Sequence, residues 1–182
     1  MSVSVDISLA AVKSAKYVIA QINQNCPRTH GDGFIHISEI DAFVQHDEPL
    51  SEIVSSIEEL DEVDRIIGQN VASLIPDRAC IQMGVGSLPN AVCAALMNHK
   101  DIGVHTELMS DGIMELFNRG VITNKYKSLH QNEILVGFVM GTKRLYDFVN
   151  DNPEVIFRGS DYVNGKLVNQ FCLICQQTLL IL

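Results

Sequence analysis

The chain has 182 residues, enough for one domain or parts of two, and 47% of them are hydrophobic, which leaves room for a sizeable core and excludes global disorder. Its 22 acidic and 13 basic residues give a formal charge of -9, which excludes nucleic acid as the main partner. An anionic small molecule stays open, because it needs only a local basic patch.

The start, "MSVSVDISLAAVKSAKYVIAQ", lacks the basic n-region and long apolar h-region of a secretory leader. No apolar run reaches the ~20 residues of a membrane span. The expectation is a chain without a membrane partner, in the cytoplasm, or in the mitochondrion of a eukaryote. Five cysteines, an odd number, point to reduced thiols.

In chain order, "DISLAAVKSAKYVIAQIN" begins with helical apolar spacing and turns strand-like at "YVIAQI". "CPRTHGDG" reads as a loop, since Pro27, Gly31, Asp32 and Gly33 all form turns. In "GFIHISEIDAFVQ", Phe34, Ile35, Ile37 and Ile40 alternate with polar residues. That pattern predicts a strand with His36 as a structural histidine inside it.

The acid-rich run "HDEPLSEIVSSIEELDEVD" reads as a solvated face. Leu60, Val63, Ile66, Ile67, Val71, Leu74 and Ile75 then recur at helical spacing. Glu58, Glu59, Asp61 and Glu62 crowd the positive end of that helix, and Pro76 ends it. The shift from loop-rich to helix-rich sequence near residue 50 marks a candidate domain junction.

From residue 79 the pattern alternates. "ACIQM", "IGVHTE", "EILVGFVM" and "EVIFRGSDYV" read as strands. "SLPNAVCAALMNHK", "DGIMELFNRG" and "TKRLYDFVNDN" read as helices, the second closed by Gly120. This alternation predicts an α/β domain with a largely parallel sheet. In the tail, Cys172 and Cys175 form a C-x-x-C without the second pair or nearby histidines that zinc would want. No metal site is expected there.

Three stretches could carry chemistry. In "QMGVGSLPNAV", Gly84 and Gly86 make a tight turn between a strand and a helix, with Ser87 as N-cap and Pro89 in the first turn. Such a turn presents backbone N–H groups at the carboxyl end of a sheet, where an anion or carbonyl oxygen can sit. A plain strand–turn–helix connection would look the same. It is neither a dinucleotide fingerprint nor a P-loop.

In "GVHTELMSDG", Glu107 falls at a strand end in the same layer, flanked by Val104, Leu108 and Met109. Partial desolvation there would sharpen a carboxylate as a nucleophile toward a carbonyl. A solvated or helix-capping glutamate is the alternative. Lys125, Lys127, Lys143 and Arg144 could meet phosphates of an anionic cofactor or simply end helices in solvent.

"IQMGVGSLPNAV", "DIGVHTELMSDGIMELFNRGVITNKYKSLH" and "MGTKRLYDFVNDNPEVIFRGSDYVN" closely resemble the acetyl-CoA hydrolase/transferase family, as does "SAKYVIAQINQNCPRTHGDGFIHISEID". The resemblance runs from about residue 2 to residue 164. It implies a CoA-transferase-like (NagB/RpiA-like) α/β fold: an open, parallel-rich sheet flanked by helices, present as an incomplete copy. Residues 1–50 would correspond to the last part of the family's amino-terminal domain, and 51–164 to the first part of the carboxy-terminal one. Residues 165–182 match nothing there.

The resemblance also implies a reaction: CoA transfer between a short-chain acyl-CoA, of acetyl, butyryl or 4-hydroxybutyryl type, and a carboxylic acid. Glu107 matches the family's nucleophile, which passes through a glutamyl-CoA thioester. Gly84, Val85, Gly86, Ser87 and Leu88 match the turn that lies against the thioester and CoA. No permanently held cofactor or metal is implied, since CoA and acyl-CoA are substrates. The other expected partners are small carboxylates and, for assembly, a second copy of the chain. The alternatives are an inactive shortened chain acting as a partner subunit, favoured by the odd apolar tail, and an acetyl-CoA hydrolase using the same glutamate.

Overall fold

The computed structural model describes residues 1–53, 60–166 and 168, and the backbone of residues 179–181. Glu58, Glu59, Cys172 and Cys175 lie outside the described residues.

The framework is a six-stranded sheet flanked by helices. Its strands are β2 (His30–Gly31), β4 (Cys80–Met83), β5 (Gly103–Met109), β6 (Ile134–Val139), β7 (Val155–Phe157) and β8 (Leu179–Ile181). The order across the sheet is β2-β7-β6-β5-β4-β8, and every neighbouring pair is parallel. The central strands read as near-continuous apolar runs because both their faces are covered. Ile81, Val104, Ile134, Leu135, Val136 and Phe157 are all fully buried.

The covering helices are α3 (Ser87–Ala95), α4 (Asp111–Asn118) and α5 (Lys143–Val149), with α2 (Glu62–Ala72) lying on α3. The expected α/β fold with a parallel-rich sheet is the one observed. The first residues join this body: Val3 O accepts from Val139 N–H at 2.8 Å, and Val5 N–H donates to Gly137 O at 3.1 Å. Past α1 (Ser8–Ser14), a separate two-stranded parallel sheet pairs β1 (Ile19–Ile22) with β3 (Ala42–Gln45).

Several boundaries differ from the sequence reading, each for a local reason. The loop "CPRTHGDG" contributes the edge strand β2, with His30 opposite Ile156. The strand read at residues 34–40 instead falls at β3. Here His36 Nδ1 accepts from Ser38 N–H at 3.2 Å, while Glu39 Oε1 accepts from His36 N–H at 3.3 Å. This reciprocal capping box starts a single 3-10 turn, Ile37–Glu39, so His36 is a capping residue rather than a strand histidine.

The α2 helix begins where the acids predict, with Asp61 as N-cap accepting from Asp64 N–H at 2.7 Å. Only part of the predicted stripe is buried: Val71 packs partly against the core and Ile75 fully. Gly68, Ala72 and, just beyond the helix, Ile75 are buried, while Val63, Ile66, Ile67 and Leu74 are exposed. The "EVIFRGSDYV" strand stops at Phe157, and α6 (Ser160–Val163) follows. Arg158 N–H still bonds across to Val136 O at 2.8 Å, but Ser160 N–H turns to Asp6 O at 2.9 Å and takes the backbone out of the sheet.

Candidate active site

The central strand β5 carries the sequence "GVHTELM". Successive side chains alternate between its faces, so His105 and Glu107 share one face and Thr106 and Leu108 the other. Glu107 lies two residues inside the strand end, because β5 runs on to Met109 rather than stopping at the glutamate. It is half-buried, with buried residues on either side of it.

Alongside, β4 ends at Met83 and the chain turns through Gly84, Val85 and Gly86 into α3. Gly86 has φ +122°, a conformation that favours glycine. It is the N-cap of α3, and no side chain caps that end. Ser87 is therefore the first helical residue rather than the cap that the sequence suggests. The opening N–H groups of a helix have no partner within it. Val85, Gly86, Ser87 and Leu88 are all exposed at this end.

The two segments meet. A cleft of about 140 Å³ is lined by Gln82, Met83, Gly84, Val85, Glu107, Leu108 and Phe138. The structure thus brings Gly84 and Val85 to Glu107, while Gly86, Ser87 and Leu88 continue the turn just outside the lining. This is the layer at the carboxyl ends of parallel strands where open α/β sheets bind ligands.

A further residue reaches the carboxylate. Asn164, at the end of α6, donates from Nδ2 to Glu107 Oε2 at 3.0 Å. Sequence reasoning missed it because the strand reading ends just before it, at Val163, and because 57 positions separate the two residues. The available signal was that Asn164 closes the resembling segment, directly after Tyr162 and Val163.

The neighbours of Glu107 are also engaged. His105 is 2% exposed, and its Nε2 lies 3.0 Å from Val163 O. Burial holds its imidazole well below the ordinary range, at about 4, against the raising effect of the Val163 bond; the charges of Lys127 and His130 lower it further. Its ring is neutral at pH 7 and carries its proton on the nitrogen facing that carbonyl. Thr106 is fully buried; its Oγ1 accepts from Met83 N–H at 3.1 Å and lies 3.0 Å from Met83 O and 2.9 Å from Leu108 O.

The four basic residues do not gather here, and none lines the cleft. Lys127 is buried and donates to Val104 O at 2.7 Å and Glu133 O at 2.6 Å. Lys143 pairs with Asp147 at 2.7 Å on the surface of α5, Arg144 is exposed beside it, and Lys125 lies over the Tyr126 ring. Among the described residues no group of three His, Cys, Asp or Glu side chains could hold a metal ion. Among them too, no helix is long and apolar enough to cross a membrane.

Residues 1–55 match the profile of the acetyl-CoA hydrolase/transferase N-terminal domain. The 4-hydroxybutyrate coenzyme A transferase of Clostridium kluyveri is 52% identical over 166 residues, 91% of this chain and 38% of that protein. The succinyl-CoA:cyclohexane-1-carboxylate CoA transferase of Geobacter metallireducens is 43% identical over 163 residues, 90% of this chain and 37% of that one.

Among solved structures, RipA from Yersinia pestis superposes with a TM-score of 0.91 at 36% identity, over 98% of this chain and 41% of that chain. The 4-hydroxybutyrate CoA-transferase from Porphyromonas gingivalis gives 0.87 at 40% identity, over 92% and 42%. The chain thus spans about two fifths of the length of these relatives. Residues 1–55 thus match the acetyl-CoA hydrolase/transferase family, and over most of its length the chain is similar to CoA-transferases of which it covers about two fifths.

Proposed function

We propose that this chain carries the nucleophile of a CoA-transferase, exchanging CoA between a short-chain acyl-CoA and a carboxylic acid through a glutamyl-CoA thioester on Glu107. The single observation behind this reading is the placement of the Glu107 carboxylate, held by the Asn164 amide, in one cleft with the Gly84–Val85 turn. The names of the relatives point the same way.

The chemistry follows from that placement. A Glu107 oxygen attacks the thioester carbonyl, and CoA thiolate leaves. The resulting acyl-glutamyl anhydride is attacked by the thiolate at the glutamyl carbonyl, which releases the donor acid and leaves CoA on Glu107. An acceptor carboxylate attacks that thioester and expels the thiolate, and the thiolate then takes the acceptor acyl group, freeing Glu107. Every step builds negative charge on a carbonyl oxygen. Backbone N–H groups of the Gly84–Leu88 turn are the donors assigned to it, with the Asn164 amide a further donor at the glutamyl side.

The cleft has the room of a few waters at ~30 Å³ each, which suits a short acyl group. CoA and acyl-CoA are substrates in this scheme and not resident cofactors. The chain divides near residue 50 between the two domains of the family in the same reading, and it works in the cytoplasm or, in a eukaryote, the mitochondrion.

The test is covalent trapping. Incubation with acetyl-CoA followed by hydroxylamine or borohydride should modify Glu107, seen by peptide mass spectrometry, and Glu107→Gln should abolish both trapping and exchange. No modification of Glu107, under conditions that trap the corresponding glutamate of a relative, would sink the active-enzyme reading for this chain. A second reading is favoured by the exposure of Ile19, Phe34, Ile37, Phe43 and Val44: the chain acts as one partner of a larger assembly that completes the cleft. Trapping that appears only in such an assembly would select it.

A further inference from the structure

Each residue of the His105-Thr106-Glu107 tripeptide reaches a different part of the site. Thr106 points to the β4 side. Its buried hydroxyl accepts the N–H of Met83, the residue that precedes the Gly84–Gly86 turn, and its single proton is shared between the Met83 and Leu108 carbonyls, which lie at 3.0 and 2.9 Å. His105 points to the opposite face, the face of Glu107. Its Nε2 donates to the carbonyl of Val163, the residue that precedes Asn164. Asn164 in turn donates to Glu107. The path His105 to Val163, Asn164 and Glu107 closes a ring on one strand face.

The α6 helix that carries Asn164 has only four residues and no side-chain cap, so it does not hold its own position. A second histidine supports it from the next position. His130 Nε2 lies 2.8 Å from the Tyr162 hydroxyl, and His130 Nδ1 lies 3.1 Å from Glu133 Oε2.

From these contacts we infer that His105 and Thr106 are positioning residues for Glu107: His105 sets the Asn164 amide against the carboxylate through the Val163 carbonyl, and Thr106 sets the glycine turn on the other side through Met83. The inference rests on the reading of Glu107 as nucleophile for its consequence in catalysis, but its geometry does not. The Asn164 amide meets the carboxylate while the glycine turn lines the same cleft, and a misplacement of about 1 Å in such a site costs about a hundredfold in rate. A strand residue is rigidly related to its neighbours, so one tripeptide fixes both distances.

The test separates positioning from folding by pairing each deletion with a variant that keeps the hydrogen bond. His105→Leu removes the donor and His105→Gln keeps an N–H donor at similar reach. Thr106→Val removes the hydroxyl and Thr106→Ser keeps it. The first readout is independent of turnover: in amide NMR correlation spectra of the full chain, the Asn164 side-chain signal should shift when Glu107→Gln replaces the carboxylate. That coupling should be lost in His105→Leu and retained in His105→Gln. An Asn164 signal that ignores Glu107 in the parent chain, or follows it equally in His105→Leu, overturns the assignment of His105. For Thr106, the Val85 and Gly86 backbone signals should shift in Thr106→Val and return in Thr106→Ser; unchanged signals in Thr106→Val overturn that half.

The second readout is the rate of Glu107 trapping by acetyl-CoA. It should fall about a hundredfold at saturating acetyl-CoA in His105→Leu and Thr106→Val, with little change in half-saturation, and recover in the conservative variants. Parallel loss in all four variants, tracking their melting temperatures, would mean a structural role only. Trapping that fails in the parent chain while the NMR coupling holds would instead count against the Glu107 nucleophile and not against the positioning.

Discussion

At the scale of single residues, the site is backed by buried polar groups that reach the main chain. His105, Thr106 and Lys127 are almost completely enclosed, and each bonds to main-chain carbonyls. Buried polar groups carry a desolvation cost unless paired, so these bonds fix positions that apolar residues would leave loose. For His105 this has a measurable acid limit. The folded imidazole sits at about 4 and the unfolded one near the ordinary 6.5. Between those values the unfolded chain binds more protons, so stability rises with pH there and is constant above. Urea unfolding from about pH 7 down to about pH 4 should show His105 alone removing about 3 kcal/mol, and His105→Gln should lack that component. An equal loss in both proteins would place the acid sensitivity elsewhere. Glu107 and the glycine turn were legible in the sequence because each is defined by immediate neighbours. Asn164 was not, because its partner lies 57 positions away and only the fold joins them.

At the scale of elements, the alternation of strands and helices after residue 79 was legible because parallel strands covered on both faces leave unbroken apolar runs. The N-terminal third was less so, because a capping box at His36–Glu39 converts an alternating pattern into a 3-10 turn. The α2 helix shows a different limit. Its apolar periodicity is real, but which stripe it buries is decided by Gly68, where the helix comes close to α3. A Cβ at Gly68 would stand 2.7 Å from both the carbonyl carbon and oxygen of Ala91, which are backbone atoms and cannot swing aside. Gly68→Ala should therefore destabilise the protein by about 1–3 kcal/mol despite alanine's better helix propensity. Hydrogen exchange should show α2 amides losing protection first, since this helix rests on α3 and leaves its larger apolar residues exposed. Stabilisation by Gly68→Ala would mean that the two helices have room to separate. The consequence reaches the site, because α3 begins at the Gly84–Gly86 turn.

At the scale of the whole molecule, the chain divides into a well-covered sheet and a poorly covered one. The six-stranded sheet holds the core, with Ile81, Leu96, Ile102, Met109, Ile113, Leu116 and Phe157 fully enclosed. The β1–β3 pair buries none of its residues, and Ile19, Phe43 and Val44 are 72%, 60% and 59% exposed. Phe43 and Val44 are adjacent in one strand, so they point to opposite faces, and both faces of this small sheet are apolar and open. A two-stranded sheet in water is marginal by itself and becomes stable when a face is packed against something else. The sequence could not reveal this, because the same apolar alternation marks a strand whether its cover is present or not. The molecule by itself should therefore associate through this region. Sedimentation velocity across a concentration series should show growth in mass, and a fluorescent apolar dye should bind. Phe43→Lys combined with Val44→Lys should suppress both while leaving the thermal transition of the six-stranded core in place, because neither residue belongs to that core. A chain that stays monomeric and binds no dye at any concentration would mean that the exposed residues are covered by the chain's own segments in solution. Association unchanged in the double variant would move the sticky surface to the exposed stripe of α2, where Val63, Ile66 and Ile67 lie at i, i+3 and i+4.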